Sequence, residues 1–128
     1  MLRPISDMMT RVVRTVGMED TIEKVENELK SHKLSSVPVV DSKGNIFGII
    51  SSPDIVLFHS ARKNPKAVRA SDMCVYKPIQ VGAGASIVEV AELMVKHRIH
   101  HVIITKGESV IGMVSSLDFV QEYLRKRT

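Results

Sequence analysis

Apolar positions along this chain change their period in a fixed order, and the order occurs twice. Arg14 to Val16 reads as a short extended piece. After it Ile22, Val25 and Leu29 fall three and four residues apart, the spacing of one helix face, with Asp20 and Glu23 placed to form a reciprocal N-terminal cap. Two β-branched runs follow, Val37 to Val40 and Ile46 to Ile50, separated by a Gly-containing turn, and they predict a hairpin. Ser52 as cap and Pro53 at the first helical position then open a last helix. The second passage repeats these steps with Ile79 to Val81, with Ser86 and Glu89 ahead of Ile87, Val90, Ala91, Met94 and Val95, with Val102 to Thr105 and Val110 to Val114, and with Ser116 and Leu117. The predicted fold is α/β of the α+β kind, built from two tandem β-α-β-β-α units.

The two passages keep a strict register. Ser6-Asp7-Met8 recurs as Ser71-Asp72-Met73, Val16-Gly17 as Val81-Gly82, Ile22 as Ile87, His32 as His97 and Val37 as Val102, every pair 65 positions apart. After one deletion in the hairpin turn the offset is 64, so that Gly48 matches Gly112, Ser51-Ser52 match Ser115-Ser116 and Asp54 matches Asp118. An internal repeat of this kind fixes the organisation before any single element does. The expected domains are a first repeat over 1–61, a linker over 62–69 that carries Asn64-Pro65, and a second repeat over 70–128. One repeat alone has little interior, and its last helix is rich in apolar residues (Ile55, Val56, Leu57, Phe58; Phe119, Val120, Tyr123, Leu124), so the halves are expected to pack together and then to form a homodimer.

Composition narrows the function classes. The 128 residues carry 18 Lys and Arg against 14 Asp and Glu, a net charge of +4 that favours anionic partners only modestly. Three Phe, two Tyr and no Trp leave little to stack on bases, and the cations are scattered apart from the linker (Arg62, Lys63, Lys66, Arg69) and the tail (Arg125, Lys126, Arg127). Nucleic-acid binding therefore ranks last among the partners. A single cysteine, Cys74, forms no internal disulfide and suits a reducing compartment. No apolar run approaches the ~20 residues that cross a bilayer, and none of signal-peptide length opens the chain, so no membrane contact and a cytoplasmic location are expected.

Several residues invite sharper readings. His97, His100 and His101 form an H-x-x-H-H cluster, but no carboxylate or thiolate stands at a supporting spacing, and His97 matches His32 at a helix end, where a cation is stabilising; no metal site is expected. Gly82-Ala83-Gly84 has no third glycine and no doubly wound unit after it, so it reads as a turn. Neither a Ser/His/acid order nor a carboxylate pair points to catalysis, and no enzyme activity is expected. Asp54 and Asp118 are the sharper candidates: a carboxylate accepts hydrogen bonds from both hydroxyls of a ribose, while Ser51 and Ser115 at a helix start suit a phosphate oxygen. The plain alternative is that an acid in the first helical turn does no more than complement the helix dipole.

The paired units, with Val37-Pro38-Val39-Val40-Asp41 in the first, Gly48 to Asp54 as GIISSPD and Gly112 to Asp118 as GMVSSLD, resemble the tandem cystathionine-β-synthase (CBS) domain pair, the Bateman module. The second strand run departs from the pattern, since Ile103 and Lys106 stand where proline and aspartate are usual. The resemblance implies two repeats packed with pseudo-twofold symmetry and two clefts that hold AMP, ADP, ATP or S-adenosylmethionine as a regulatory ligand, with no cofactor required. Carried over residue by residue, one cleft takes Val13, Ser35, Ser36 and Val37 with Ser115 and Asp118. The other takes Pro78, His100, His101 and Val102 with Ser51 and Asp54. Val37, Val102 and Pro78 would line an apolar slot for adenine. The expected function is an adenine-nucleotide sensor that acts on a partner protein or through its homodimer; the rival is a ligand-free dimerisation module.

Overall fold

The computed structural model describes residues 3–11 and 14–127. A 3-10 turn, Ile5–Asp7, precedes β1 (Thr10–Arg11), β2 (Val16–Gly17), α1 (Ile22–Ser31), β3 (Ser36–Val40), β4 (Ile46–Ser51) and α2 (Ser52–Ser60). The second passage runs α3 (Ala70–Met73), β5 (Val75–Tyr76), β6 (Gln80–Gly82), α4 (Ile87–His97), β7 (His101–Lys106), β8 (Ser109–Ser115) and α5 (Ser116–Arg127). Each repeat thus shows the helix, hairpin and helix that its periodicity predicts. No helix among the described residues is long and apolar enough to cross a membrane.

Two compact units emerge, Val13–Pro78 and Met1–Val12 with Ile79–Thr128. The first holds the sheet β2-β3-β4-β5 and the second the sheet β1-β8-β7-β6. Their ladders correspond: β2 runs parallel to β3 as β6 does to β7, and the hairpins β3-β4 and β7-β8 are antiparallel. Both hairpins shift register at the same repeat position, between Val39 and Val40 and between Ile104 and Thr105. Ile103 in place of Pro38 therefore leaves the strand unchanged, and Ile103 uses its own N–H to bond the Ile79 carbonyl at 3.2 Å.

The first short strand of each repeat pairs away from the rest of that repeat. β1 lies antiparallel to β8, with Thr10 opposite Met113, and β5 lies antiparallel to β4, with Gly48 opposite Tyr76. Ahead of β1, Ile5 is fully buried in the core of the second unit, its N–H bonds the Ala85 carbonyl, and Pro4 bridges to Ser86. Ahead of β5, Ala70 is fully buried in the first unit, its N–H bonds the Asp20 carbonyl, and Arg69 bridges to Thr21. Asp72 also accepts the Arg69 N–H at 3.2 Å and caps α3. Pro4, the counterpart of Arg69, has no N–H to offer Asp7, and the turn there is 3-10.

Helix starts correct three expectations. Thr21, and not Asp20 with Glu23, caps α1 by accepting the Lys24 N–H, while Asp20 turns back to accept the Gly17 N–H at 2.7 Å. The last helices begin one residue earlier than Ser52 and Ser116 as caps imply: Ser51 is the cap of α2, and Ser115 holds the same arrangement ahead of α5. An acid three residues on reaches the cap's own N–H, which selects the first serine of each pair. Ser86 caps α4 as expected, accepting the Glu89 N–H at 3.0 Å. The short extended pieces lie later than expected: Val16–Gly17 starts two residues later and ends one later, and Gln80–Gly82 is shifted by one.

Candidate functional site

The site candidates gather at one end of each hairpin, where strand gives way to helix. In the first unit Ser36 stands opposite Ser51 in the ladder, and the Ser35 carbonyl accepts the Ser52 N–H at 2.9 Å. Asp54, in the first turn of α2, accepts the Ser51 N–H at 2.8 Å and the Ser51 hydroxyl at 2.9 Å, both on Oδ2. Oδ1 takes no part in that cap. The carboxylate is therefore oriented before any ligand arrives, with one oxygen committed to the helix start.

The second unit repeats the arrangement with histidines in place of serines. His101 stands opposite Ser115, and the His100 carbonyl accepts the Ser116 N–H at 2.9 Å. Asp118 Oδ2 accepts the Ser115 N–H at 2.8 Å, and the Asp118 N–H bonds Ser115 Oγ at 3.3 Å. His100 Nδ1 lies 3.3 Å from Ser116 Oγ, so an exposed imidazole and a hydroxyl stand together at the start of α5. The hydroxyl, the first-turn amides and the imidazole are groups that suit a phosphate oxygen.

Five assigned residues of one repeat thus come together in each unit: Ser35, Ser36, Val37, Ser51 and Asp54 in the first, and His100, His101, Val102, Ser115 and Asp118 in the second. Pro78, half-buried, closes the first unit. Val13 lies outside the described residues. Each set carried over from the resemblance draws on both units.

One assignment needs correction at the level of the side chain. Val37 and Val102 are fully buried within the two cores, packed with residues such as Val25 and Ile50, and Val90 and Val114. The strands are covered on both faces here, so these side chains cannot line a slot and only their backbone can meet a ligand. Two residues not singled out as position-setting also shape the site. A Cβ on Gly48 would lie 2.5 Å from Cys74 Sγ and 2.8 Å from the Val75 carbonyl, and a Cβ on Gly112 would collide with Met9 Sδ. The glycine of each GxxSSxD segment is thus the place where the chain entering the neighbouring edge strand, Cys74-Val75 or Met9-Thr10, comes too close for a side chain on the hairpin that leads into the site. Among the described residues no group of three or more His, Cys, Asp or Glu side chains converges.

Comparison with known proteins agrees with this architecture. The sequence profile of the CBS domain matches residues 5–60 and again 70–125. The Bacillus subtilis (strain 168) protein YlbB is 30% identical over 112 residues, covering 87% of this chain and 76% of that protein. The Escherichia coli arabinose 5-phosphate isomerase KpsF is 27% identical over 119 residues, which are 92% of this chain and only 36% of the isomerase. Among solved structures, CBSX2 in complex with AMP superposes with a TM-score of 0.83 at 16% identity, covering 98% of each chain. With both halves matched by one profile and two units of one topology, the chain belongs to the CBS domain family as a tandem pair.

Proposed function

We propose that this chain is a regulatory module whose ligand is an adenine nucleotide, AMP, ADP or ATP, or S-adenosylmethionine. The observation that carries the reading is the duplicated carboxylate at the start of α2 and α5, each fixed through one oxygen by a serine and set among hydroxyl or imidazole groups. Such a carboxylate suits a ribose diol through its second oxygen, and the neighbouring hydroxyls and amides suit a phosphate. A protein of the same fold holds AMP, which supports the ligand class. The pairing of Ser115 and Asp118 with Val13, Ser35, Ser36 and Val37, and of Ser51 and Asp54 with Pro78, His100, His101 and Val102, is part of this proposal.

A ligand of this kind regulates only if it binds two arrangements of the module unequally. The output is then carried by a partner protein or by a homodimer in the cytoplasm. KpsF, of which this chain spans 36%, carries a similar region within a longer enzyme, which supports a regulatory and non-catalytic role for the region itself. The second reading, a ligand-free dimerisation module, is favoured by one observation: α5 exposes Leu117, Val120 and Leu124 along one face, and α2 exposes Val56 and Leu57.

Calorimetric titration with AMP, ADP, ATP and S-adenosylmethionine separates the two. Asp54→Asn and Asp118→Asn are the matched variants, because Asn keeps an acceptor for the serine cap and removes the charge. Saturable binding that loses one site per substitution is the expected result. Ligand at a hundredfold excess over Kd would add ~2.7 kcal/mol to stability, visible as a rise in Tm. A folded dimer that binds none of the four at millimolar concentration would leave only the second reading.

A further inference from the structure

Four residues other than glycine hold positive φ among the described residues: Lys33 at 52°, Arg62 at 57°, Lys77 at 53° and Arg98 at 53°. All four are Lys or Arg. The left-handed region ordinarily goes to Gly or Asn, because a Cβ there crowds the following carbonyl. A cation beyond the last turn of a helix is favourable, which accounts in part for Lys33, Arg62 and Arg98. Lys77 follows a strand, and its ammonium sits 5.3 Å from the centre of the Tyr76 ring.

Lys33 and Arg98 form a matched pair. They occupy one repeat position, 65 residues apart, both are exposed, and neither makes an ion pair among the described residues. Each stands two residues ahead of a candidate-site residue, Lys33 before Ser35 and Arg98 before His100. The short loop between is fastened at both ends. Leu34 N–H bonds the Leu29 carbonyl at 2.9 Å behind it, and the Ser35 carbonyl takes the Ser52 N–H at 2.9 Å ahead; Ile99 with Met94 and His100 with Ser116 repeat the pattern at 3.1 and 2.9 Å. An unpaired cation on a strained backbone therefore sits in a loop tied directly to the helix start that bears the carboxylate. The same holds in both repeats.

We infer that Lys33 and Arg98 read the phosphate chain of the nucleotide, each supplying the cation for phosphates beyond the first, so that a triphosphate is preferred over a monophosphate. The inference rests on the nucleotide reading above and adds to it which nucleotide is favoured and through which residues. A long flexible cation can follow a second or third phosphate, whereas glycine, the residue that fits the backbone best, can do nothing for the ligand.

The test is titration of wild type, Lys33→Gly, Arg98→Gly, Lys33→Arg and Arg98→Lys with AMP and with ATP at one ionic strength, beside thermal melts of the free proteins. Wild type is expected to bind ATP more tightly than AMP. Each glycine variant should weaken ATP by about tenfold at one site and leave AMP within about twofold, and the charge-preserving variants should keep the preference. Melting temperatures of the glycine variants should be unchanged or higher, since glycine relieves the backbone; loss of ATP binding is then no loss of fold. An ATP-to-AMP ratio that moves by less than about twofold in both glycine variants overturns the inference and leaves the nucleotide reading standing. Equal loss of AMP and ATP, or a wild type indifferent between them, overturns it as well. A wild type that binds neither overturns the inference, and the ligand reading falls with it only when ADP and S-adenosylmethionine also fail to bind.

Discussion

A methyl group at Gly48 has nowhere to go, because Cys74 Sγ and the Val75 carbonyl already occupy the space above it. Cys74 is the one free thiol, half-buried, and burial pushes its pKa up, with the nearby Asp54 and Asp72 carboxylates adding to the effect. The thiol is thus held protonated and poorly reactive near neutral pH. Gly48→Ala should displace β5 and cost ~1 to 3 kcal/mol, as overpacking does. Urea unfolding would measure the loss, and faster reaction of Cys74 with a thiol reagent would show that this contact is the one broken. A variant as stable and as slow to react as wild type would mean that β5 yields without cost.

At the scale of elements, the two leading segments are secured differently. Arg3 donates to the Glu122 carboxylate on α5, which Arg125 also holds at 3.0 Å. At the corresponding places of the first unit stand Phe58, in the apolar core cluster, and Val68, partly buried and packed against it. The Arg3 hydrogen bond is the main cause that keeps the Glu122 carboxyl below its usual value of 4.5, with the charges of Arg125, Arg3 and Lys126 acting in the same direction. A carboxylate lowered in the folded state contributes stability that is fully present above the unfolded pKa and lost as pH falls through the folded one. Wild type should accordingly be more stable than Glu122→Gln at pH 7. The difference should shrink to nothing once pH has fallen below the folded-state value. Parallel urea titrations across about pH 2 to 7, the range in which carboxylates titrate, check this. A difference that persists unchanged into acid would assign the contribution of Glu122 to packing rather than charge.

On the scale of the whole molecule, sequence repeat and compact unit do not coincide. The unit Val13–Pro78 contains the first repeat from β2 onward together with α3 and β5, which precede β6 of the second. Those pieces contribute buried Ala70 and the ring contact of Tyr76 with Phe47 at 5.0 Å. A fragment 13–78 should therefore unfold cooperatively in urea at a higher midpoint than a fragment 1–61, which lacks α3 and β5 and exposes the edge of β4. Circular dichroism of the two fragments decides it, and equal midpoints would mean that the added strand and helix bring no stability of their own. Small units of this size sit near the margin at which one core suffices, so the missing pieces weigh heavily.

The sequence by itself determined what depends on local period and on repetition. The amphipathic spacing of Ile22, Val25 and Leu29, the β-branched hairpin runs and the 65- and 64-residue offsets fix the elements, their order and their duplication, because each is written within a few neighbouring residues or copied at a constant distance. Asp54 and Asp118 were legible as first-turn acids for the same reason. Cap choice was not: Ser51 and Ser52 are both able to cap, and only the reach of the Asp54 carboxylate selects one. Val37 and Val102 read as candidates for an apolar slot, yet both faces of their strands are covered, and burial on two sides is decided by elements distant in sequence. The partners of β1 and β5 lay beyond the sequence altogether. Two-residue strands carry no period, and their pairing with β8 and β4 is imposed where a glycine, Gly112 or Gly48, leaves room for a second backbone to pass.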